Sequence, residues 1–336
     1  MTHDNSELLS ILDKIRDLPI MVAGDIMLDR YIWGKVERIS PEAPVPVVQV
    51  TKTEDRPGGA GNVARNLAAL GARVSLCGFT GDDDEGQGLL KLLDQGHIQK
   101  DGVIIERGRE TSLKTRVIAH GQQVVRIDRE RIGSPSAALC EGFAAMVESQ
   151  LKDCRAVIIS DYGKGAICPP VMKKLQALRE AGQVGLGSRP LVVDPHPRNY
   201  DLYKGISVAK PNRSEAQLAS GVKIVDRASA SEAGKVLLKR WEAEMILVTL
   251  GEDGLMIVSA DGKDDVLLPT AAREVHDVSG AGDTVTAVFT AALATGASAR
   301  LAGELANISA GIVVSEVGTA AINADRLRQE LEKRAK

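Results

Sequence analysis

Aromatic side chains are almost missing from this 336-residue chain: two Trp, four Tyr and three Phe amount to 3% of it. Ala, Gly, Val and Leu dominate instead, which suits a parallel sheet covered by helices better than an aromatic-rich β-sandwich. Cysteine is scarce as well. Cys77, Cys140, Cys154 and Cys168 lie far apart with no CxxC spacing, so buried free thiols in a reducing compartment are expected rather than disulfides or a zinc site. Neither sign of charge prevails: 42 Lys and Arg face 45 Asp and Glu, for a net charge of −3, which leaves no electrostatic footprint for nucleic acid. No apolar run approaches membrane-spanning length. Residues 1–17 are polar and mixed in charge and read as an amphipathic helix (Leu8, Leu9, Leu12, Ile15), not as a signal peptide. The expectation is a cytoplasmic globular protein without membrane or nucleic-acid partners, forming one large domain over residues 1–336.

What is present alternates between strand and helix. Short apolar runs at 19–25, 74–79, 156–160, 191–193 and 245–250 read as buried strands, most of them ending at a polar residue or glycine. Helical periodicity is expected over 61–70, 85–93, 136–151, 169–180, 212–220, 229–241, 283–294 and 300–314. Repeated βα units imply an α/β fold with a doubly wound, mostly parallel sheet that binds ligands at the carboxyl ends of its strands. Two segments, about 31–52 and 111–129, alternate with period two and contain no crossover helix. They predict a small antiparallel β lid, with His120-Gly121-Gln122 as a hairpin turn. Its edges invite pairing with a second copy, so a homodimer through the lid is expected.

The most informative stretch is Asp277-Val278-Ser279-Gly280-Ala281-Gly282-Asp283-Thr284. A small-residue turn there feeds an apolar helix (Val285, Ala287, Val288, Phe289), so unpaired N–H groups and the positive end of the helix dipole would welcome an anion. Asp283 sits at the helix entrance beside that anion. Phosphate next to a potential base is the geometry of phosphoryl transfer. A second glycine-rich run, Gly58-Gly59-Ala60-Gly61-Asn62, permits close backbone approach to a ligand and places Asn62 and Asn66 one helical turn apart. It is neither GxxxxGK[ST] nor a dinucleotide fingerprint.

Together these two runs resemble the paired signatures of the PfkB (ribokinase-like) carbohydrate kinases, in the same order and at a matching separation. The resemblance covers essentially the whole chain. It extends to Gly24-Asp25 with Asp29, Gly81-Asp82-Asp83, the 161–165 run Asp-Tyr-Gly-Lys-Gly, Lys210-Pro211-Asn212 with Glu215, Thr249-Leu250-Gly251 with Gly254, and Gly318-Thr319. Within the family, residues 24–31 and the Pro-rich segment 38–48 resemble the D-glycero-β-D-manno-heptose 7-phosphate kinases. Some of those carry a fused nucleotidylyltransferase domain. This chain has no HxGH-type element and so resembles the stand-alone kinase.

The resemblance implies an ATP- and Mg²⁺-dependent kinase acting on the anomeric hydroxyl of a heptose 7-phosphate. Asp283 would be the base, with the amides of Gly280, Ala281 and Gly282 as the anion hole. Asp29, Gly58, Gly59 and Asn62 would meet the sugar. Arg116 and Lys164 are favoured for the 7-phosphate among cations that include Lys114, Arg126 and Arg38, because a phosphorylated sugar needs a cationic partner. Asn212 and Glu215 would organise the water shell of Mg²⁺, while Lys210 and Asp194 would support the phosphates. Thr249, Gly251, Gly254 and Asn307 would surround the adenosine. Asp277, with carbonyls near Ser279, Val313, Glu316 and Gly318, would be a K⁺ site. A kinase for another sugar or sugar phosphate, or a binding protein without catalysis, are the competing readings.

Overall fold

The computed structural model describes residues 5–130, 133, 135–262, 265–272, 275, 277–316 and 320–334. In chain order the main elements are α1 (Asn5–Ile15), β1 (Pro19–Gly24), β2 (Ile26–Ile39), β3 (Pro46–Gly59), α2 (Ala60–Ala69), β4 (Arg73–Gly81), α3 (Asp84–Gln95) and β5 (Gln99–Glu106). There follow β6 (Leu113–Ala119), β7 (Gln122–Arg129), α4 (Ala137–Leu151), β8 (Ala156–Ser160), α5 (Pro169–Glu180), β9 (Leu191–Asp194), β10 (Val208–Ala209), α6 (Arg213–Ser220) and α7 (Arg227–Trp241). The last are β11 (Met245–Thr249), β12 (Leu255–Ser259), β13 (Val266–Leu268), α8 (Ala281–Ala294), α9 (Ala299–Val313) and α10 (Ala324–Arg334).

Nine strands form the main sheet in the order β13-β12-β11-β10-β9-β8-β1-β4-β5. All pairs are parallel except β11–β12 and β12–β13 at one end. Both faces are covered, and the side-chain period of two divides each strand between two cores. Ile20, Val22, Ala156, Ile158, Met245 and Leu247 pack into one core, while Met21, Ala23, Val157, Ile159, Ile246 and Val248 pack into the other. This explains why the central strands read as continuous apolar runs. α8 is buried almost all round, from Asp283 to Ala294, consistent with its apolar sequence.

The lid is a four-stranded sheet, β3-β2-β6-β7. Its two hairpins, β2–β3 and β6–β7, are antiparallel, while β2 and β6 pair in parallel. Its first pair of strands exceeds the expected 31–52 segment at both ends, because β2 starts at Ile26 and β3 runs to Gly59. The lid therefore hangs directly from the Gly58-Gly59 turn that leads into α2. β5, β12, β13 and α10 also lie outside the elements expected from periodicity. No described helix is long and apolar enough to cross a membrane.

Candidate active site

Strand order reverses at β1/β8: from β1 the chain moves to β4 and β5, whereas β8 leads to the strands on its other side. Such a switch point opens a crevice at the carboxyl ends of the strands. Asp25 follows β1 and is 3% exposed. Its carboxylate accepts the backbone N–H groups of Tyr162 (2.8 Å), Lys164 (3.0 Å) and Ala166 (2.9 Å), fixing the loop after β8. Asp161, at the head of that loop, accepts from Gly163 N–H, Asn199 Nδ2 and the Tyr203 hydroxyl. Burial and the nearby Asp25 carboxylate push the Asp161 carboxyl up to about 6.

Asp283 enters this crevice on the first turn of α8, 7% exposed. Its Oδ2 accepts from Asn62 Nδ2 at 2.7 Å, and its Oδ1 accepts from the Tyr162 hydroxyl at 2.7 Å. Burial pushes the carboxyl up to about 6, against the two hydrogen bonds, which favour its ionised form. A base tuned to that range is ionised at neutral pH yet retains basicity. In the sequence Tyr162 stands out only as one residue of the 161–165 run. Its contact with Asp283 spans 121 residues of chain, and no local pattern signals it.

Before α8, Gly280 adopts φ 81° as its N-cap. Ala281 N–H donates to the Val278 carbonyl at 3.2 Å, whereas the N–H groups of Gly280, Gly282 and Asp283 have no acceptor among the described residues. The turn expected to form an anion hole is a helix N-terminus with open donors at Gly280 and Gly282, whereas the Ala281 amide is engaged in its own turn. Lys210, 4% exposed, pairs with Asp194 at 2.8 Å, and Asp194 also accepts from the Thr286 hydroxyl. Burial opposes the Lys210 charge, but Asp194 outweighs it and holds the ammonium above its ordinary range. The ammonium lies against the turn: a Cβ on Gly282 would stand 3.1 Å from its Nζ.

A cleft of about 640 Å³ joins Asp283, Gly280, Gly282, Lys210, Asp194, Asn212, Glu215 and Thr249. It shares Thr249, Gly251, Val278 and Gly282 with a neighbouring cavity of about 690 Å³ that extends to Gly254, Val285, Asn307, Ala310 and Val314. The first carries the charged side chains of Asp194, Lys210, Glu215 and Asp283 and suits phosphates with a metal ion; the second is mostly apolar and suits a flat heterocycle. Asn212 and Glu215 form a reciprocal capping box on α6, each side chain accepting the other's backbone N–H at 3.0 and 2.8 Å. Asn307 spends its amide on the backbone of Pro269 and Ala271. These two sites are braced by their own side chains before any ligand arrives.

No cluster of three metal-ligating side chains exists among the described residues. The carboxylates of Asp194 and Glu215 lining the phosphate cleft fit a Mg²⁺ ion that keeps most of its water shell and is shared with phosphates, not an all-protein cage. Asp277 Oδ1 accepts from Ser279 N–H at 2.8 Å, and Asp277 N–H donates to the Val314 carbonyl. That carboxylate therefore braces the loop; Gly318, expected beside it, lies outside the described residues.

At the end of β3, Gly58 packs so closely on Asp29 that a Cβ would stand 2.4 Å from Oδ2, and Gly59 has φ +58° with the Asp25 carbonyl 2.5 Å from any Cβ. Side chains are excluded from both positions. Asp29 Oδ1 accepts from Arg116 at 2.6 Å, and Arg116 also lies over the Tyr31 ring, 5.4 Å from its centroid. Lys164, 5% exposed, pairs with Glu130, which Lys114 approaches at 3.8 Å. Both cations favoured for a distal phosphate thus already hold carboxylates.

Comparison with known proteins gives the family and the fold. The chain is 44% identical over 314 residues to the bifunctional protein HldE of Desulfatibacillum aliphaticivorans, an alignment covering 93% of this chain and 63% of that protein. It is 41% identical over 333 residues to the HldE of Citrifermentans bemidjiense, covering 99% of this chain and 67% of the relative. The chain thus spans about two thirds of the length of these curated relatives. The structure of Arabidopsis thaliana ribokinase complexed with ribose and ATP superposes with a TM-score of 0.72 at 20% identity, covering 94% of this chain and 99% of that one. Escherichia coli phosphofructokinase-2 in complex with fructose-6-phosphate gives 0.73 at 18% identity, covering 95% and 99%. The family model of the pfkB carbohydrate kinases matches residues 18–326, and the chain belongs to that family.

Proposed function

We propose that this kinase transfers the γ-phosphoryl group of ATP to the anomeric 1-hydroxyl of D-glycero-β-D-manno-heptose 7-phosphate. The product, heptose 1,7-bisphosphate, would feed ADP-heptose and lipopolysaccharide-core synthesis. The observation that carries the chemistry is Asp283, buried, tuned to about 6 and placed beside open backbone donors at a helix N-terminus. The hydroxyl proton passes to Asp283 as the new O–P bond forms and the bond to the β–γ bridging oxygen breaks, releasing ADP. Gly280 and Gly282 N–H, with Lys210, stabilise the charge on the transferring group. Bound Mg²⁺ would neutralise phosphate charge, with Asn212, Glu215 and Asp194 facing its water shell. K⁺ beside Asp277 belongs to the same reading.

The heptose assignment rests on the resemblance of residues 24–31 and 38–48 to heptose 7-phosphate kinases. Asp29, Gly58, Gly59 and Asn62 would meet the sugar, and Arg116 and Lys164 its 7-phosphate, exchanging a carboxylate partner for a phosphate. ADP release should be followed with ATP, Mg²⁺ and a panel of sugars and sugar phosphates. Turnover with heptose 7-phosphate well above all others is expected. Preference for a different sugar, or binding without turnover, would replace the heptose reading.

A homodimer through the lid is part of the proposal. β7 is exposed along its whole length, with Val124, Val125 and Ile127 as apolar surface, and Ile39, Val45 and Val50 are exposed on the β2–β3 hairpin at the other side of the lid. Such an edge is stabilised by pairing with another copy. Sedimentation should show a dimer at micromolar concentration that Ile127→Glu weakens. A wild-type protein that stays monomeric throughout would end this idea.

A further inference from the structure

Both oxygens of the Asp283 carboxylate hold a protein donor, and the two donors differ in kind. Asn62 is fully buried and comes from α2, which packs along α8. Its position is set by the core, and its own backbone carbonyl accepts from Asn66. Tyr162 comes from the loop after β8 and is only partly buried. Its ring lies 3.5 Å from where a Cβ of Gly59 would be, so it stands between the Gly58-Gly59 turn and the base. Its backbone N–H is held by Asp25, which fixes the loop, while its side chain is half-buried and bears no hydrogen bond other than the one to Asp283 among the described residues.

An acceptor hydroxyl must hydrogen-bond Asp283 to lose its proton to it. Asn62 cannot leave without unpacking α2, whereas Tyr162 can rotate. We propose that Tyr162 is a positioning residue that caps the base in the absence of sugar and is displaced from Oδ1 by the acceptor hydroxyl, so that water is not activated when ATP is bound alone. Without the cap, a water could pass a proton to Asp283 while its oxygen forms a bond to the γ-phosphorus and the bond to the β–γ bridging oxygen breaks. The products would be ADP and inorganic phosphate, with no sugar phosphorylated. This rests on Asp283 as the base; it does not depend on which sugar is the substrate.

Other charged groups also face the pair: Asp194 from β9 and Lys210 from the segment after β10 act on Asp283, and Asp29 and Asp194 act on Tyr162. None of them is altered by Tyr162→Phe, which keeps the ring and removes only the donor. Because that hydrogen bond favours the ionised carboxylate, its loss should move the acid limb of the kcat/KM profile upward from about 6 in the parent. The expected displacement is about one pH unit, since hydrogen bonds to charged groups are worth about 1.5 kcal/mol or more.

The test is sugar-free ATP hydrolysis by the full chain with Mg²⁺, read alongside the sugar panel. Tyr162→Phe should raise sugar-free hydrolysis by about tenfold, and Tyr162→Phe combined with Asp283→Asn should abolish the gain. Unchanged or lower sugar-free hydrolysis in folded Tyr162→Phe overturns the proposal. So does a gain that survives in the double variant, because the extra hydrolysis would then not use the base. An acid limb that does not move also counts against it, since a ring with only a structural role would leave that limb in place. Failure of the heptose reading would show separately, as absent or different selectivity in the panel with the sugar-free result intact.

Discussion

Asp283→Asn should lower sugar phosphorylation by about 10³-fold or more, the scale expected when a positioned base is removed, while KM for both substrates changes little. The substitution is accommodated locally. The new amide oxygen can still accept from Tyr162, and Asn62 has a buried Oδ1 with no partner that can turn to accept from the new Nδ2. The same variant should be more stable than the parent at neutral pH. In the folded protein the Asp283 carboxyl stands at about 6, above its value of 3.8 in the unfolded chain. The native state therefore binds more protons between these values, and the parent loses stability as pH rises through that window. Above it the ionised, buried carboxylate costs on the order of 2–3 kcal/mol, which the asparagine does not incur. Denaturant midpoints should separate above pH 6 and converge toward pH 4. A variant that keeps wild-type turnover would remove Asp283 from the base role. A stability gap with the opposite pH trend would contradict the environment described for its carboxyl.

Asp25→Ala should have the largest effect on stability. One buried carboxylate satisfies three backbone N–H groups, those of Tyr162, Lys164 and Ala166. Without it at least two of these donors are left buried and unpaired, a penalty of about 1–3 kcal/mol each, so a total loss of about 3–5 kcal/mol is expected. The loop that carries Tyr162 and Lys164 would lose its anchor together with the fold's margin, and phosphorylation should fall in parallel. Asp25→Asn keeps one acceptor oxygen and should lie between the two. Equilibrium unfolding checks this directly: a midpoint shift worth less than about 1 kcal/mol would mean that the loop is held by something other than Asp25.

Much of this molecule was legible from residue order. The helices over 169–180, 212–220 and 283–294 follow the apolar period and its caps; Pro at the start of α5 and the Asn212–Glu215 box are local signals that tertiary packing did not need to overrule. The lid hairpins were legible because alternation is also local. Their true length was not: residues 26–30 fall between the expected strand over 19–25 and the expected lid segment 31–52, yet pair with 55–59, about thirty residues away. β12 and β13 are short and carry no local signal of their own; pairing of β12 with β11 and of β13 with β12 decided them.

At the site, the division is between residue type and partner. The sequence by itself determined the family, the carboxylate at a helix N-terminus, and the two glycine turns, because these are chemical requirements written in contiguous residues. The tertiary structure alone decided what each charge touches: Tyr162 and Asn62 on Asp283, Arg116 on Asp29, Glu130 on Lys164, Lys210 on Asp194. Those contacts join residues from 16 to 221 positions apart. The physical reason is that a hydrogen bond depends on the three-dimensional meeting of donor and acceptor, which residue order constrains only within a turn or two of a helix. Burial is likewise a property of the packed sheet, and burial is what moves Asp283 to about 6 and makes a cap on it meaningful.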